Sequence, residues 1–252
     1  MKCVDLNSDM GEGFGRYTCG DDEAMLSIIT SANVACGAHA GDPEIMARIF
    51  RLAKQLGVAV GAHPGFPDLW GFGRRRIPFA IGEIERLVVY QIGAAQALAA
   101  YSGHRITYVK PHGALANIGE IDRNVAAALA RAVRSVDPGL MFLGPARSEQ
   151  LRAAESLQLR TVPEIYADRG YADDGTLLPR SSPGALIEDP AVAASRVVEM
   201  IQSGSIITAR AQHLSTDIRS VCVHGDSPHA VETAKSVRAA LEKAGIGVSS
   251  FS

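Results

Sequence analysis

The sequence predicts an α/β fold in which about seven parallel strands, each followed by a helix, close into a (β/α) barrel. Strand-like and helix-like segments alternate along all 252 residues, and no linker or low-complexity segment interrupts them. Histidine, lysine and carboxylates follow the strand-like segments, whereas the segments after the helices hold mostly Gly, Ala and Arg. Because the loops after the strands form the reactive face of such barrels, we expect one barrel domain, residues 1–252, with its site on that face.

Composition argues against several classes of protein. With 47% hydrophobic residues the chain can bury a substantial core, and its net charge of −2 gives no electrostatic reason to expect nucleic acid or an anionic membrane as a partner. The first five residues already include charges, which argues against an ordinary signal peptide, and no stretch approaches ~20 uninterrupted apolar residues. The four cysteines form no C-x-x-C pair, as is typical of reduced thiols in a cytoplasmic protein.

The first strand is unusual because polar residues lie along one of its faces. Apolar and polar residues alternate over residues 4–12, so Asp5, Asn7 and Asp9 project from the same face. Two carboxylates this close repel each other, and burial strengthens the repulsion unless a cation, a histidine or a proton offsets it. The strand therefore either opens onto water or lines a polar site.

Cap and breaker residues predict the elements that follow. Asp42-Pro43 combines an N-cap with proline at the first helical position, and Gly57 ends that helix. Further strands are predicted at 33–36, 58–61, 106–109, 141–143, 160–166 and 220–223. Further helices are predicted to begin near Asp21, ahead of Ile84, and at Asp122, Ser148, Asp189 and Ser227.

Four histidines each follow a different predicted strand, namely His39, His63, His112 and His224. A single histidine there would bond a backbone carbonyl as readily as take part in chemistry, but four of them beside acids favour a functional cluster. A divalent metal would suit such a cluster, although the H-x₃₋₅-H spacing typical of zinc sites is absent. The sequence leaves metal binding open, and we expect an activity that does not depend on a transition metal.

Lys110 and Arg74 are the candidate cations. Lys110 follows strand four, and if it points inward it would neutralise the acids of strand one or stabilise an oxyanion. A structural ion pair is an equal alternative. Arg74 begins a run of arginines after Gly73, which is either a solvated surface or a clamp for a carboxylate or phosphate. No G-x-x-x-x-G-K-[ST] motif occurs, so the chain has no recognisable nucleotide site of its own.

Several long motifs resemble those of the LamB/YcsF family, the family of 5-oxoprolinase A subunits. They cover nearly the whole chain and are DLNSDMGEGFG from Asp5, SANVACGAHAGD from Ser31, GAHPG from Gly61, GFGRR from Gly71, VKPHGAL from Val109, ADRGY from Ala167, LPRS from Leu178, PGA from Pro183 and VHGD from Val223. Two residues depart from the pattern. Ala38 stands where the family usually has an aromatic residue, and Ala116 where tyrosine is common, so both would leave room near the site.

The resemblance implies a barrel of the glycoside hydrolase/deacetylase type and an ATP-dependent opening of 5-oxo-L-proline to L-glutamate. It also implies two partner subunits, which would bind the ATP and activate the lactam while this chain directs water onto it. The residue roles that it implies are Asp9 or Glu12 as general base; His39, His63, His112 and His224 as acids or orienting groups; Lys110 and Arg74 as holders of an oxyanion or phosphate; and Asn7, Gly73, Arg74, Asp168 and Arg180 as substrate contacts.

Two other functions stay open. A metal-dependent deacetylase or amidohydrolase would act alone on an N-acyl substrate, and its metal content would distinguish it. A non-catalytic subunit would bind 5-oxoproline and present it to its partners. Such a subunit would show no activity of its own on a chemically activated lactam.

Overall fold

A computed structural model describes residues 2–252 of the chain. The strands, in chain order, are β1 (Cys3–Met10), β2 (Ser31–Ala35), β3 (Ala59–His63), β4 (Ile106–Val109), β5 (Met141–Pro145), β6 (Thr161–Tyr166), β7 (Ser205–Ile207), β8 (His213–Ser215), β9 (Ser220–Cys222) and β10 (Gly247–Val248). The helices are α1 (Asp22–Leu26), α2 (Pro43–Leu56), α3 (Ile81–Tyr101), α4 (Gly113–Ile121), α5 (Arg123–Val136), α6 (Glu149–Ser156), α7 (Pro190–Ser203) and α8 (Ala230–Lys243).

Strands β1 to β6 and β9 pair in parallel in that order, and β9 returns to β1, so the sheet closes into a barrel. In the closing pair Asp5 lies opposite Ser220 and Asn7 opposite Cys222. The predicted seven-stranded (β/α) barrel is confirmed. Outside it, β10 adds to the start of β1, and β7 and β8 form a separate antiparallel hairpin.

The pleat of the strands divides the buried residues into two sets. Outward-facing side chains such as Leu6, Val34 and Val109 pack against the helices and form the large hydrophobic core. Inside the barrel, toward the start of β4 to β6, lies a small apolar cluster of Tyr108, Met141, Leu143 and Val162, against which Phe251 packs. We call this cluster the barrel floor. The rest of the interior is polar.

Capping residues fix several helix starts where the sequence predicts them. The Asp42 carboxylate accepts hydrogen bonds from the backbone N–H groups of Glu44 and Ile45, with Pro43 at the first helical position. Asp122 and Asp189 cap α5 and α7 in the same way. These aspartates orient the helices that pack around the sheet.

Five elements differ from the sequence-based expectation. Helix α4 was not predicted, and it begins directly after His112 with no side-chain cap. The hairpin β7–β8 and strand β10 were also missed, because segments of three and two residues carry too little periodicity to detect. Helix α8 begins at Ala230 rather than at Ser227, since residues 227–229 form a turn before it.

Within residues 2–252, every helix is too short or too polar to cross a bilayer. The four cysteines are all free thiols, and two of them, Cys36 and Cys222, are buried.

Candidate active site at the carboxyl ends of the strands

The polar face of β1 points into the barrel. Asp5, Asn7 and Asp9 are all buried, whereas Leu6 and Met10 between and after them face the helices. Of the two alternatives left by the sequence, the strand lines a polar interior rather than opening onto water. The neighbouring groups show how the acids are accommodated.

Asp5 occupies the deepest polar layer. Its carboxylate accepts hydrogen bonds from Thr30 Oγ1 at 2.7 Å, from Ser31 Oγ at 2.6 Å and from Ser220 Oγ. Burial raises the pKa of Asp5 to about 6, although the three hydroxyl donors act in the opposite direction. Among the described residues, no basic side chain lies within hydrogen-bond reach of Asp5 to offset its charge.

Lys110 holds the next layer together. Its Nζ lies 3.2 Å from Asp9 Oδ1, 3.2 Å from Glu164 Oε2 and 3.2 Å from Asn7 Oδ1, and 3.1 Å from Cys222 Sγ. Burial by itself would lower the pKa of Lys110, but the Asp9 and Glu164 carboxylates raise it well above its usual value. Lys110 is therefore a buried cation shared by two acids, so the structural ion pair considered for it exists.

Asp9 lies in the same layer as Lys110 and lines the cleft. Burial would raise its pKa, but His63 and Lys110 together lower the pKa well below its usual value. Asn33 Nδ2 donates to Asp9 Oδ1 and to Asn7 Oδ1, both at 2.8 Å. Asp9 is thus an ionised carboxylate in a fixed orientation.

Three histidines and Glu12 converge beside Asp9. Glu12 Oε1 lies 3.5 Å from His39 Nε2 and 3.5 Å from His112 Nδ1. His112 Nδ1 lies 3.0 Å from His63 Nε2, and His63 Nε2 lies 3.4 Å from Asp9 Oδ1. The rings of His39 and His112 stack with their centroids 3.6 Å apart. We call Glu12, His39, His63 and His112 the histidine cluster.

Burial sets the protonation of this cluster. It lowers the pKa of His39 and of His112 well below the usual value, and the neighbouring imidazoles add to the effect. Burial, followed by the charge of Asp9, raises the pKa of Glu12 well above its usual value. The two stacked rings are therefore neutral, and each offers a lone pair.

His224 and Asp168 form a second pair at the mouth. His224 Nδ1 lies 2.9 Å from both Asp168 carboxylate oxygens, and the Tyr166 ring lies 5.4 Å from the His224 ring at a small interplanar angle. Burial would raise the pKa of Asp168, but the His224 imidazole lowers it. Tyr166 also donates its hydroxyl to Glu164 Oε1 at 2.8 Å, which links this pair to the Lys110 layer.

Gly73 and Arg74 come from the loop that follows β3. Gly73 has a φ of +65°, and a Cβ there would lie 2.7 Å from His39 Cβ and 2.8 Å from His112 Cδ2. The close approach leaves room only for glycine. Arg74 Nη2 donates to Asp226 Oδ2 at 2.6 Å, so the arginine is held at the mouth by an ion pair.

A cleft of about 670 Å³ opens above these groups. Its floor contains Asp9, His63, Lys110, His112 and His224. Its walls include Arg74 and the loop 174–181, which contains the exposed Arg180. Asn7 lies beneath the floor and is fully buried. Glu12 and His39 face a neighbouring pocket of about 480 Å³ that is lined by Phe14, Trp70 and Phe72.

Four side chains at the site were not among the predicted site residues: Asn33, Glu164, Tyr166 and Asp226. The sequence does carry a signal for Glu164 and Tyr166, which share the inward face of β6 by the period of two. Asn33 lies on β2 directly opposite Asp9 of β1. Asp226 belongs to the predicted His-Gly-Asp segment, but its pairing with Arg74 joins residues 152 positions apart.

A model of the LamB/YcsF family matches residues 4–252. The chain belongs to this family. Among its relatives, a protein of Azorhizobium caulinodans that is named as the A subunit of 5-oxoprolinase is 62% identical over 251 residues, covering 100% of this chain and 99% of that protein. A Gluconobacter oxydans protein of the same name is 56% identical and covers 98% of this chain and 97% of the other.

The crystal structure of a Lactam Utilization Protein from Thermus thermophilus has the same fold as this chain. It superimposes with a TM-score of 0.93 at 43% sequence identity and covers 100% of both chains. At that level of similarity the two proteins share the fold over the whole chain.

Proposed function

We propose that this chain is the A subunit of an ATP-dependent 5-oxoprolinase and that it directs water onto the lactam of 5-oxo-L-proline. The observation that carries the proposal is the 62% identity, over the full chain, to a protein named as the A subunit of 5-oxoprolinase. In the reaction water adds to the lactam carbon, the C–N bond breaks, and the ring nitrogen takes up a proton to give L-glutamate. Before water adds, two partner subunits bind the ATP and transfer its γ-phosphoryl group to the lactam oxygen, releasing ADP. Ring opening leaves that phosphate on the new carboxyl group, and a second water releases it as inorganic phosphate.

Asp9 is the group that we assign to the attacking water. It lines the cleft, and Lys110 and Asn33 hold its Oδ1 in place. A carboxylate that is ionised and oriented in this way accepts a proton from water without first having to reorganise. His224, paired with Asp168 at the same mouth, is placed to supply a proton to the leaving nitrogen.

Two arginines of the cleft suit the anionic part of an activated substrate. Arg74 and Arg180 line its walls, and the guanidinium group pairs with carboxylate and phosphate in a fixed planar geometry. The substrate carboxylate, together with the phosphate that the partners would add, supplies such anions. The absence of a phosphate-binding loop from the sequence agrees with ATP being bound by the partners.

The test is the variant Asp9→Asn, assayed in the complex reconstituted with the two partner subunits. Glutamate formation is expected to fall about 10²–10⁴-fold, the usual contribution of a general base. Asp217→Asn, which changes an exposed acid far along the chain, is the matched control and is expected to retain parental rates. Co-purification of the subunits and thermal unfolding show whether the complex is intact. Full activity of an intact Asp9→Asn complex would contradict the assignment.

The histidine cluster favours a second candidate, a metal-dependent amide hydrolase that acts alone. An assay of the chain alone on N-acyl substrates distinguishes the two functions, because a 5-oxoprolinase A subunit would have no such activity without its partners. The third function, presentation of 5-oxoproline without catalysis, predicts instead that Asp9→Asn weakens substrate binding and leaves the turnover of bound substrate unchanged.

A further inference from the structure

Within the histidine cluster, nitrogen and oxygen lone pairs face one another with too few N–H groups between them to form hydrogen bonds. His63 Nδ1 lies 2.6 Å from the carbonyl oxygen of Lys110, and His112 Nε2 lies 2.8 Å from the carbonyl oxygen of Phe72. A carbonyl oxygen only accepts, so each of these ring nitrogens carries the hydrogen. The other nitrogen of each ring, His63 Nε2 and His112 Nδ1, is then a lone pair, and these two lone pairs face each other across 3.0 Å.

The remaining members of the cluster are also without partners. Among the described residues, Glu12 Oε1 and both ring nitrogens of His39 are buried and form no hydrogen bond. Buried polar atoms of this kind are rare, since each one costs free energy unless something binds it. A proton shared between His63 Nε2 and His112 Nδ1 would satisfy the 3.0 Å contact between them. It would leave Glu12 Oε1 and both ring nitrogens of His39 without hydrogen-bond partners.

We infer that Glu12, His39, His63 and His112 form a binding site for one divalent transition-metal ion of the zinc class. The carboxylate oxygen and three ring nitrogens all lie within 4.8 Å of one another. Zinc binds nitrogen and oxygen ligands tetrahedrally at about 2.0–2.2 Å, so two ligands of one ion lie about 3.3–3.6 Å apart. The two contacts of 3.5 Å within the cluster match that spacing, and the contact of 3.0 Å is a few tenths of an ångström shorter.

The surroundings have the features of a metal site. The Lys110 and Phe72 carbonyls accept from the far nitrogens of His63 and His112, which is the outer-shell arrangement that orients ligating histidines. Three imidazoles and one carboxylate suit zinc, cobalt or nickel better than magnesium or calcium, which prefer all-oxygen sites. The pocket that Glu12 and His39 line gives an ion a path to the cluster.

The four ligands come from the ends of four consecutive strands, β1 to β4, rather than from one helix. A rule based on H-x₃₋₅-H spacing misses such a site, because its ligands are adjacent in space and distant in sequence. The inference departs from our expectation that the chain works without a transition metal. It concerns binding alone and does not rest on the proposed function.

The experiment measures binding of Zn²⁺ and Co²⁺ to the full-length protein after it has been stripped with dipicolinate. Calorimetry is expected to give one Zn²⁺ per chain, and Co²⁺ is expected to show the d–d absorption of a site with nitrogen ligands. His39→Gln and Glu12→Gln should each weaken binding at least about 100-fold, since even outer-shell changes commonly cost 10–100-fold. His104→Gln, a histidine that bonds the Val58 carbonyl outside the cluster, is the matched control and should bind as the parent does.

His39 donates to no group in the described chain, so its replacement removes no internal hydrogen bond. If His39→Gln nevertheless fails to fold, Glu12→Gln decides the question alone. The inference is overturned if the stripped parent binds no stoichiometric metal. It is also overturned if folded Glu12→Gln binds as tightly as the His104→Gln control. Neither result depends on 5-oxoprolinase activity, so it leaves the proposed function to its own test.

Discussion

Asp5 shows at the scale of one residue how a polar barrel interior affects stability. The folded protein holds the pKa of Asp5 at about 6, above the ordinary value of 3.8. As the pH rises from about 4 to 6, the unfolded chain loses this proton and the folded chain keeps it. Folding therefore becomes less favourable across that window, and the penalty is constant above it.

We expect Asp5→Asn to remove this pH dependence. A shift of this size corresponds to about 3 kcal/mol. Between pH 4 and pH 7 the difference in free energy of unfolding, variant minus parent, should therefore rise by about that amount. Urea unfolding of both proteins at several pH values measures the gain. Asp217→Asn, with an exposed side chain, should give a curve parallel to that of the parent. A parallel curve for Asp5→Asn as well would show that the pKa of Asp5 is the same in the folded and unfolded protein.

Lys110 illustrates what the sequence could not decide. The pattern placed it after strand four and left an oxyanion holder and a structural ion pair as equal alternatives. Its inward direction follows from the strand period, but its sharing between Asp9 and Glu164 depends on the register between β1, β4 and β6. Removing one member of a buried ion pair leaves an uncompensated charge, so Lys110 is a structural residue whatever else it does.

At the scale of the element, β3 and β4 are matched through one glycine. Tyr108 points into the barrel and donates its hydroxyl to Asn33 Oδ1 at 2.8 Å. Its ring passes so close to Gly61 that a Cβ there would overlap three of the ring carbons. The neighbouring strand thus needs a residue without a side chain at this position.

We expect Gly61→Ala to destabilise the protein by about 1–3 kcal/mol, the usual effect of overpacking. Gly93→Ala is the matched control, since Gly93 lies within helix α3 and a Cβ there meets no atom within 4 Å. Alanine in place of a helical glycine should raise stability by up to about 1 kcal/mol. Thermal unfolding of the two variants compares the effects. An unchanged melting temperature for Gly61→Ala would mean that the Tyr108 ring moves aside freely.

Elements were predictable from sequence where local signals define them. All seven barrel strands and the helices capped by Asp42, Asp122 and Asp189 were predicted, because alternation and capping act over a few residues. Helix α4 lacks a capping side chain and was missed. The histidines were predicted as a group from their positions after strands, but the carbonyls that fix their hydrogens are tertiary contacts and leave no trace in sequence.

At the scale of the whole molecule, the C-terminal segment seals the end of the barrel opposite the cleft. Strand β10 pairs with the first residues of β1, and the Phe251 ring lies 5.1 Å from that of Tyr108 on the barrel floor. The segment therefore covers an apolar cluster that would otherwise meet water. It links the last residues of the chain to the layers beneath the site.

We expect Phe251→Ala to destabilise the protein by about 1–3 kcal/mol, because a partly buried aromatic side chain is lost. Ser252→Ala, at the exposed neighbouring position, should leave the melting temperature unchanged. Differential scanning calorimetry of the two variants makes the comparison. Equal melting temperatures for both would show that the floor is stable without this ring.

The pairing of β1 with β9 also governs when the molecule can form during its synthesis. Asp5 and Ser220, which face each other in that pair, are 215 positions apart. At ordinary translation rates of about 5–20 residues per second, the first strand waits roughly 10–40 s for its second neighbour. Until then its three inward polar residues lack several of their partners, and one edge of the strand is open to other chains. Synthesis of nearly the whole polypeptide is thus a precondition for a closed site, and the nascent chain is most exposed to aggregation while β1 waits.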